Sequence, residues 1–161
     1  MTATNSRRAL SVVRAPAAEP QSTLAFCGHC GTRPDTESES RVCDACGLGL
    51  ILHADATAAP REGDAFVVVD GSLSICAVSN TAESLLATRE TDAVNRHVTE
   101  LLVPAEAESP DGQNLAVAVT WAARGDSGNR PVTLRPANTF GVRLNAKISS
   151  CGPPRAALIT F

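Results

Sequence analysis

The chain has 161 residues, 43% of them apolar and 19% charged, which is enough for one or two domains with packed cores. Its formal net charge of −3 comes with no dense positive segment, and this disfavours nucleic acid as a partner. No apolar stretch approaches the roughly 18–20 residues of a membrane span, so we expect no contact with a membrane.

Four segments follow one another along the chain. Residues 1–22 are rich in Ala, Ser and Pro and lack periodicity, which predicts a disordered tail. Residues 23–53 hold four of the six cysteines and form a first candidate domain. Residues 54–62 are a short linker by composition, and residues 63–161 alternate strand and helix patterns, which predicts a second domain.

The cysteines of the first segment form two C-x2-C pairs separated by twelve residues. Two residues between cysteines allow one tight turn to present two thiolates to one ion, and four thiolates complete a tetrahedron around zinc. Gly31 and Gly47 follow the two pairs and permit the positive φ that such turns need. This spacing resembles the zinc-ribbon, or rubredoxin-like, family. We therefore predict a structural zinc ion with four ligands: Cys27, Cys30, Cys43 and Cys46.

Other uses of the four cysteines remain open at this stage. Disulfides require an oxidising compartment, and nothing in the sequence indicates one, so we expect a cytoplasmic protein with reduced thiols. A single iron ion fits the same four sulfurs and would make the chain a rubredoxin-like electron carrier. His29 lies between the first two cysteines but is not needed as a ligand, and His53 is predicted to end a strand without a functional role.

The second segment begins with clear strand and turn signals. Phe66–Val69 is a β-branched run that ends at the turn dipeptide Asp70-Gly71, and alternation from Leu73 to Ala77 predicts a second strand. Asn80 with Glu83 three residues later predicts a capping box at the start of a helix. Further helices are predicted from Val98 to Val103 and from Gln113 to Ala123, and closing strands around Val132–Leu134, at Phe140–Ile148 with one wet face, and at Ala156–Phe161.

Strands in runs on either side of a helical block predict an α+β fold with an antiparallel sheet. The run FVVVDGSLSICAVSNTAESLL at residues 66–86 resembles the opening of a PAS domain, and the likeness in pattern extends over residues 65–161. The resemblance implies a five-stranded antiparallel PAS-like sheet with short helices on one face. It also implies a sensor or dimerisation domain that can hold a small molecule between helices and sheet.

The residues say little about which ligand such a domain would hold. The Asn-Cys-Arg-Phe run of flavin photoreceptors is absent from residues 105–109, and the predicted helix at 113–123 lacks a His for haem. His97 would be an improvised haem ligand and is better explained as a cap. Trp121 could line a flavin pocket, although packing on the helix is the commoner role. Cys76 and Cys151, on different strands, could be redox-sensitive or simply small buried side chains.

No phosphate loop, nucleophile elbow or cluster of His with acidic residues is present, so we expect no catalysis. The sequence therefore predicts a regulatory protein whose output passes through a protein partner or a homodimer. The ribbon is expected to dock to a partner, and Arg143, Asn145 and Lys147 on one strand face are a second candidate surface. The alternative is a transcription-associated nucleic-acid binder that uses the ribbon, but the ribbon's side chains sum to −2 and oppose phosphate binding.

Overall fold

The computed structural model describes residues 22–34, 40–105 and 114–161. Apart from Ser22, the predicted tail lies outside these residues, as do Gln113 and residues 106–109. The strands of the described part are β1 (Thr23–Cys27), β2 (Ile51–Asp55), β3 (Phe66–Val69), β4 (Ile75–Val78), β5 (Leu102–Pro104), β6 (Arg130–Pro136), β7 (Leu144–Gly152) and β8 (Ala156–Thr160). The α-helices are α1 (Asn80–Leu86), α2 (Glu90–Ala93) and α3 (Leu115–Ala123), with a 3-10 turn at Val98–Glu100. None of these helices combines the length and apolar character needed to cross a membrane.

All strand pairs are antiparallel and belong to one curled sheet, in the order β1-β2-β7-β8-β3-β4, with β6 also on β7 and β5 on β6. The predicted antiparallel α+β class is therefore confirmed. The predicted number of five strands is wrong, because the described sheet has eight. The five expected strands form a contiguous part in the order β4-β3-β8-β7-β6, to which β1, β2 and β5 are added.

Strand β5 replaces the end of a predicted helix. The sequence predicts a helix from Val98 to Val103, whereas the chain makes only a 3-10 turn at Val98–Glu100 and then extends. Leu102 pairs with Pro136 and Pro104 pairs with Leu134 of β6, so the segment satisfies its backbone groups through the sheet. Pro104 has no N–H to donate, and it is tolerated because β5 lies at an edge.

The helices cover one face of the sheet, as predicted. Inward-facing side chains of β3, β4, β7 and β8 meet α1, α3 and the segment that leads into β5. The largest fully buried residues of this first core are aliphatic, in keeping with an aromatic content of only 3%. They include Val67, Val69, Ile75, Leu86, Leu102, Leu115, Leu134, Ile148 and Ile159.

The cysteine-rich segment covers the opposite face of the same sheet. Its hairpin β1–β2 joins β7 through the pairs His53 with Gly152 and Ala54 with Cys151. Two strands pair with the same edge of β7: β6 with its first half and β2 with its end. A second core then forms between the hairpin and the sheet, and its buried members are Phe26, Leu52, Ala54, Phe66, Val68, Cys151, Ala156 and Leu158.

This arrangement changes two expectations. The face of β7 predicted to be wet is exposed at Asn145 and Lys147 but buried at Ser149 and at Cys151, which packs against the hairpin. Strand β2 runs to Asp55, inside the segment predicted as a linker, and Ala58 beyond it is buried. The domain boundaries remain a prediction, but the two predicted domains share one sheet and pack against each other in the second core.

The N-cap of helix α1 lies one residue earlier than predicted. Ser79, not Asn80, is the N-cap, and its hydroxyl accepts the Ala82 N–H at 3.2 Å. The same buried hydroxyl accepts the Phe66 N–H at 3.0 Å, which ties the helix to β3. Glu83 is therefore free of the predicted capping role, and its carboxylate accepts the N–H of Glu90 at the start of α2.

Candidate metal centre

Each C-x2-C pair forms a tight turn that is closed by the glycine after its second cysteine. Gly31 donates its N–H to the Cys27 carbonyl at 3.0 Å, and Gly47 donates to the Cys43 carbonyl at 2.8 Å. Both glycines have a positive φ, +75° and +67°, so the backbone conformation expected from the sequence is confirmed. The chain thus builds two similar knuckles, one at the end of β1 and the other just before β2.

The two knuckles bring four sulfur atoms together. The Sγ atoms of the four cysteines all lie within 4.8 Å of one another. The Cys27–Cys46 sulfurs are 3.6 Å apart and the Cys30–Cys43 sulfurs 3.8 Å apart. A tetrahedron with metal–sulfur bonds of about 2.3 Å has edges of about 3.8 Å, so the sulfurs already have the spacing of a metal site. The separations are far longer than the roughly 2.05 Å of a disulfide bond, and the thiols are free.

Backbone N–H groups point at two of the sulfurs and favour their ionised form. Those of His29 and Cys30 lie 3.3 and 3.4 Å from the Cys27 sulfur. Burial nevertheless raises the pKa of the Cys27 thiol to about 12. Burial also raises the pKa of the Cys46 thiol, but the N–H groups of Gly49 and Leu48 outweigh this effect and lower the pKa to about 6. A bound cation would hold all four groups as thiolates.

Gly49, which the sequence analysis did not identify, is the point of closest approach between the second knuckle and the first. A Cβ at this position would lie 2.3 Å from the Cys27 sulfur and 2.8 Å from the backbone nitrogen of His29. Only a glycine lets the second knuckle approach the first this closely. The run Gly47-Leu48-Gly49 after the last cysteine was the available signal, but a glycine's close approach depends on packing that spacing alone does not reveal.

Comparisons with known proteins give a likeness in fold and none in sequence family. No protein-family model matches the sequence, and no curated protein matches it either. Among solved structures, the PAS domain of nitrogen regulation protein NR(II) from Vibrio parahaemolyticus is similar in fold. It has a TM-score of 0.43 and 15% sequence identity, over 61% of this chain and 86% of that chain. At these values the likeness assigns no function, and the site has to be interpreted from its own residues.

The donor set determines what the centre can do. Four thiolates suit zinc or a single iron ion, and a closed set of four protein ligands leaves no position for water or substrate. The residues present therefore fit a structural metal ion. The formal charge of four thiolates around a divalent ion is −2, and the buried sulfurs of Cys27 and Cys43 keep part of that charge away from solvent.

His29 connects this centre to the rest of the sheet. Its side chain turns away from the sulfurs, and Nδ1 lies 2.8 Å from Oε2 of Glu90 on α2. The other carboxylate oxygen of Glu90 accepts the N–H of Val78 on the edge strand β4 at 3.0 Å. A residue inside the first knuckle is thereby linked through one carboxylate to β4. His53 lies within β2 and does not end it.

The remaining candidate residues are dispersed over the molecule. His97 caps the 3-10 turn, where Nδ1 accepts the Thr99 N–H at 3.4 Å. Trp121 is half exposed on α3 under the guanidinium of Arg130. Cys151 is buried, as a small apolar side chain would be, whereas Cys76 is exposed on β4. The three polar residues of the predicted docking face, Arg143, Asn145 and Lys147, are exposed, but only Asn145 and Lys147 belong to a strand, because β7 begins at Leu144.

Proposed function

We propose that this chain is a non-catalytic signalling protein in which a structural zinc ion, bound by the four cysteines, holds a ribbon against a PAS-like sensor domain. The tetrahedral spacing of the sulfurs supports the metal, and the absence of an open coordination position argues against metal catalysis. The PAS-like character rests on the sequence of residues 66–86 and on the antiparallel sheet with helices on one face. A cytoplasmic setting would keep the thiols reduced.

One observation carries this proposal. Phe26 and Leu52 of the hairpin bury themselves against Phe66 and Leu158 of the sheet, so the ribbon forms part of the fold. A ribbon that served only to dock to another protein would not need a core in common with the sensor domain. We therefore propose that the metal acts first as a structural element. It fixes the two knuckles and so holds the hairpin against one face of the sheet.

The sensor part of the proposal follows from the family resemblance. Such a domain would bind a small molecule between helices and sheet, or a protein partner, or a second copy of itself. Val117 and Trp121 lie one helical turn apart on α3 and are each half exposed, which offers an apolar surface for such a contact.

Native mass spectrometry of the freshly purified full chain tests the metal and its role. We expect one zinc ion per chain, lost in Cys30→Ser/Cys43→Ser and retained in the matched control Cys76→Ser. After chelation, the urea midpoint of the whole fold should fall, because the second core loses its anchor. A chain that stays fully folded without metal would contradict the proposal. Visible absorbance from bound iron would instead favour a rubredoxin-like electron carrier.

A further inference from the structure

An open groove lies between the two metal knuckles and the PAS-like sheet. Its floor is formed by Leu52, Val68 and Ala77, and α2 borders it on one side. The groove has a volume of about 810 Å³, which is near the upper end of the roughly 300–1,000 Å³ usual for ligand sites. It lies on the face of the sheet opposite α1 and α3, so it is separate from the pocket that the PAS resemblance implies.

The apolar surface of this groove continues beyond its walls. Leu48 and Leu50 project from the second knuckle with 73% and 51% of their surface exposed. Val42 is 44% exposed and is paired with Leu50 across a single β-bridge, so the two lie side by side. Clustered exposed aliphatic side chains of this kind mark contact surfaces. A small molecule seated in the groove would leave this rim in water, whereas a protein segment would cover both.

The charges around the groove are predominantly negative. Asp70 and Glu90 lie in its wall, and the sulfur of Cys27 lies directly behind Gly49, so the −2 charge of a loaded centre adds to theirs. Arg155 also borders the groove, but its guanidinium is turned to the Arg124 carbonyl at 3.4 Å. An apolar occupant with a positive charge therefore complements the site, and an acidic one would be repelled.

One side of the groove is formed by the two metal knuckles. The first knuckle contributes Gly28 and His29, and the second contributes Leu48, Gly49 and Leu50. The His29–Glu90 contact fixes the first knuckle against α2, so the groove is already shaped before a partner arrives. Without the metal, the link between the four sulfurs is lost, and the leucine rim depends on backbone contacts with the first knuckle, such as the hydrogen bond from the Gly28 N–H to the Leu50 carbonyl at 2.9 Å.

We propose that this groove is a docking site for an apolar segment of a partner protein that carries at least one Lys or Arg, and that it is assembled only in the metal-loaded chain. The inference rests on the proposed function, since it takes the ribbon as zinc-bound. It assigns the docking role to the junction of ribbon and sheet, not to the ribbon alone. Asn145 and Lys147 lie in the first half of β7, away from the end of that strand which pairs with the hairpin.

A phage-displayed library of random dodecapeptides, panned on the zinc-loaded full chain, tests this proposal. We expect the enriched peptides to combine aliphatic residues with Lys or Arg. A synthetic peptide of the enriched sequence should bind at least about tenfold more weakly to Leu48→Ser/Leu50→Ser than to the unaltered chain. The matched control Phe140→Ser, which alters a side chain that is 88% exposed elsewhere, should bind it normally.

Charge and metal dependence give further criteria. Replacing the peptide's Lys or Arg by Glu should abolish binding, and so should about 1 M salt, at which the Debye length falls to about 3 Å. Acidic or uncharged enriched peptides, or equal binding to the double serine variant, would overturn the proposal. So would a dimer of the chain that Leu48→Ser/Leu50→Ser dissociates, or a co-purified small molecule displaced by the same change.

The two experiments distinguish a failure of the docking site from a failure of the proposed function. If native mass spectrometry shows zinc but no peptide binds the groove, the docking site is wrong and the structural metal stands. If the chain carries no metal, the proposed function fails first. Peptide binding that persists after chelation would overturn the metal dependence.

Discussion

Phe26 of the ribbon meets Phe66 of the sheet edge-on, with ring centroids 5.8 Å apart and ring planes at 88°. Both rings are fully buried, and they come from segments that the sequence assigns to different domains. Edge-to-face aromatic pairs contribute about 0.5–1.5 kcal/mol beyond the burial of their area. The contact therefore makes the ribbon a stabilising part of the sheet and predicts that the two unfold together.

Truncation of this contact should destabilise the entire fold. Phe26→Ala removes a buried ring and leaves a cavity, which typically costs about 3–5 kcal/mol, while Phe26→Leu retains most of the volume and should cost less. Urea unfolding followed by far-ultraviolet circular dichroism measures the loss. Phe140→Ala, at a position 88% exposed, is the control and should stay within about 0.5 kcal/mol of the unaltered chain. A Phe26→Ala protein as stable as that control would mean that the ribbon is only loosely attached.

The same contact shows where sequence patterns reach their limit. The run Phe66–Val69 predicts a strand, and all four residues are buried because a different layer covers each face. Val67 and Val69 face the helices, whereas Phe66 and Val68 face the ribbon. A short apolar run indicates that a strand is buried on both faces. It does not show which segments cover each face, because these segments lie far away along the chain.

Local chemistry was easier to predict than strand pairing. The cysteine spacing and its glycines correctly predicted the two turns, because each knuckle is determined by five neighbouring residues. The segment Val98–Val103 was wrongly predicted as a helix. Its apolar spacing fits a helix and a strand equally well, and the pairing of β5 with β6 makes the end of the segment a strand. Ser79 was missed as a cap for a related reason, since its hydroxyl is also held by Phe66 of a different strand.

The link from His29 through Glu90 to Val78 predicts a local effect on the edge strand. Glu90→Ala leaves the buried Val78 N–H without its acceptor, which costs about 1–3 kcal/mol, and amide hydrogen exchange at Val78 should accelerate. Asp92→Ala in the same helix is the matched control, because its ion pair with Arg89 is exposed and worth about 0–1 kcal/mol. Unchanged exchange at Val78 in Glu90→Ala would show that the carboxylate does not hold β4.

Gly49 predicts a steric effect on metal affinity. In Gly49→Ala the new Cβ would lie 2.3 Å from the Cys27 sulfur, so the knuckles must separate and the sulfur tetrahedron must distort. We expect zinc affinity to fall by about 10- to 100-fold, the range found when groups that support a metal site are disturbed. Competition with a chromogenic chelator measures this loss. Gly71→Ala, which meets nothing within 4 Å, should bind zinc normally, and equal affinity in the two variants would contradict the close approach.

Asp70 predicts how the stability of the β3–β4 turn varies with pH. Its Oδ1 accepts the N–H groups of Ser72 and Ser74, each at 2.9 Å, and the Ser72 hydroxyl at 2.8 Å. Burial alone would raise the pKa of Asp70, but the hydrogen bonds from Ser74 and Ser72 hold it below its usual value of 3.8. The unfolded chain therefore binds the proton more readily than the folded one. The contribution to stability is present above pH 3.8 and disappears as the pH falls through the lower folded pKa.

Asp70→Asn removes this titration. The difference in unfolding free energy between the unaltered chain and Asp70→Asn should be greatest near neutral pH and should shrink steadily below about pH 4. Urea unfolding at a series of pH values gives this difference, in which the acid release of zinc largely cancels because both proteins keep the four cysteines. Ser72→Ala removes only the hydroxyl donor and should show a smaller change in the same direction. A difference that stays constant from pH 7 to pH 3 would show that the carboxylate is not stabilised by the turn.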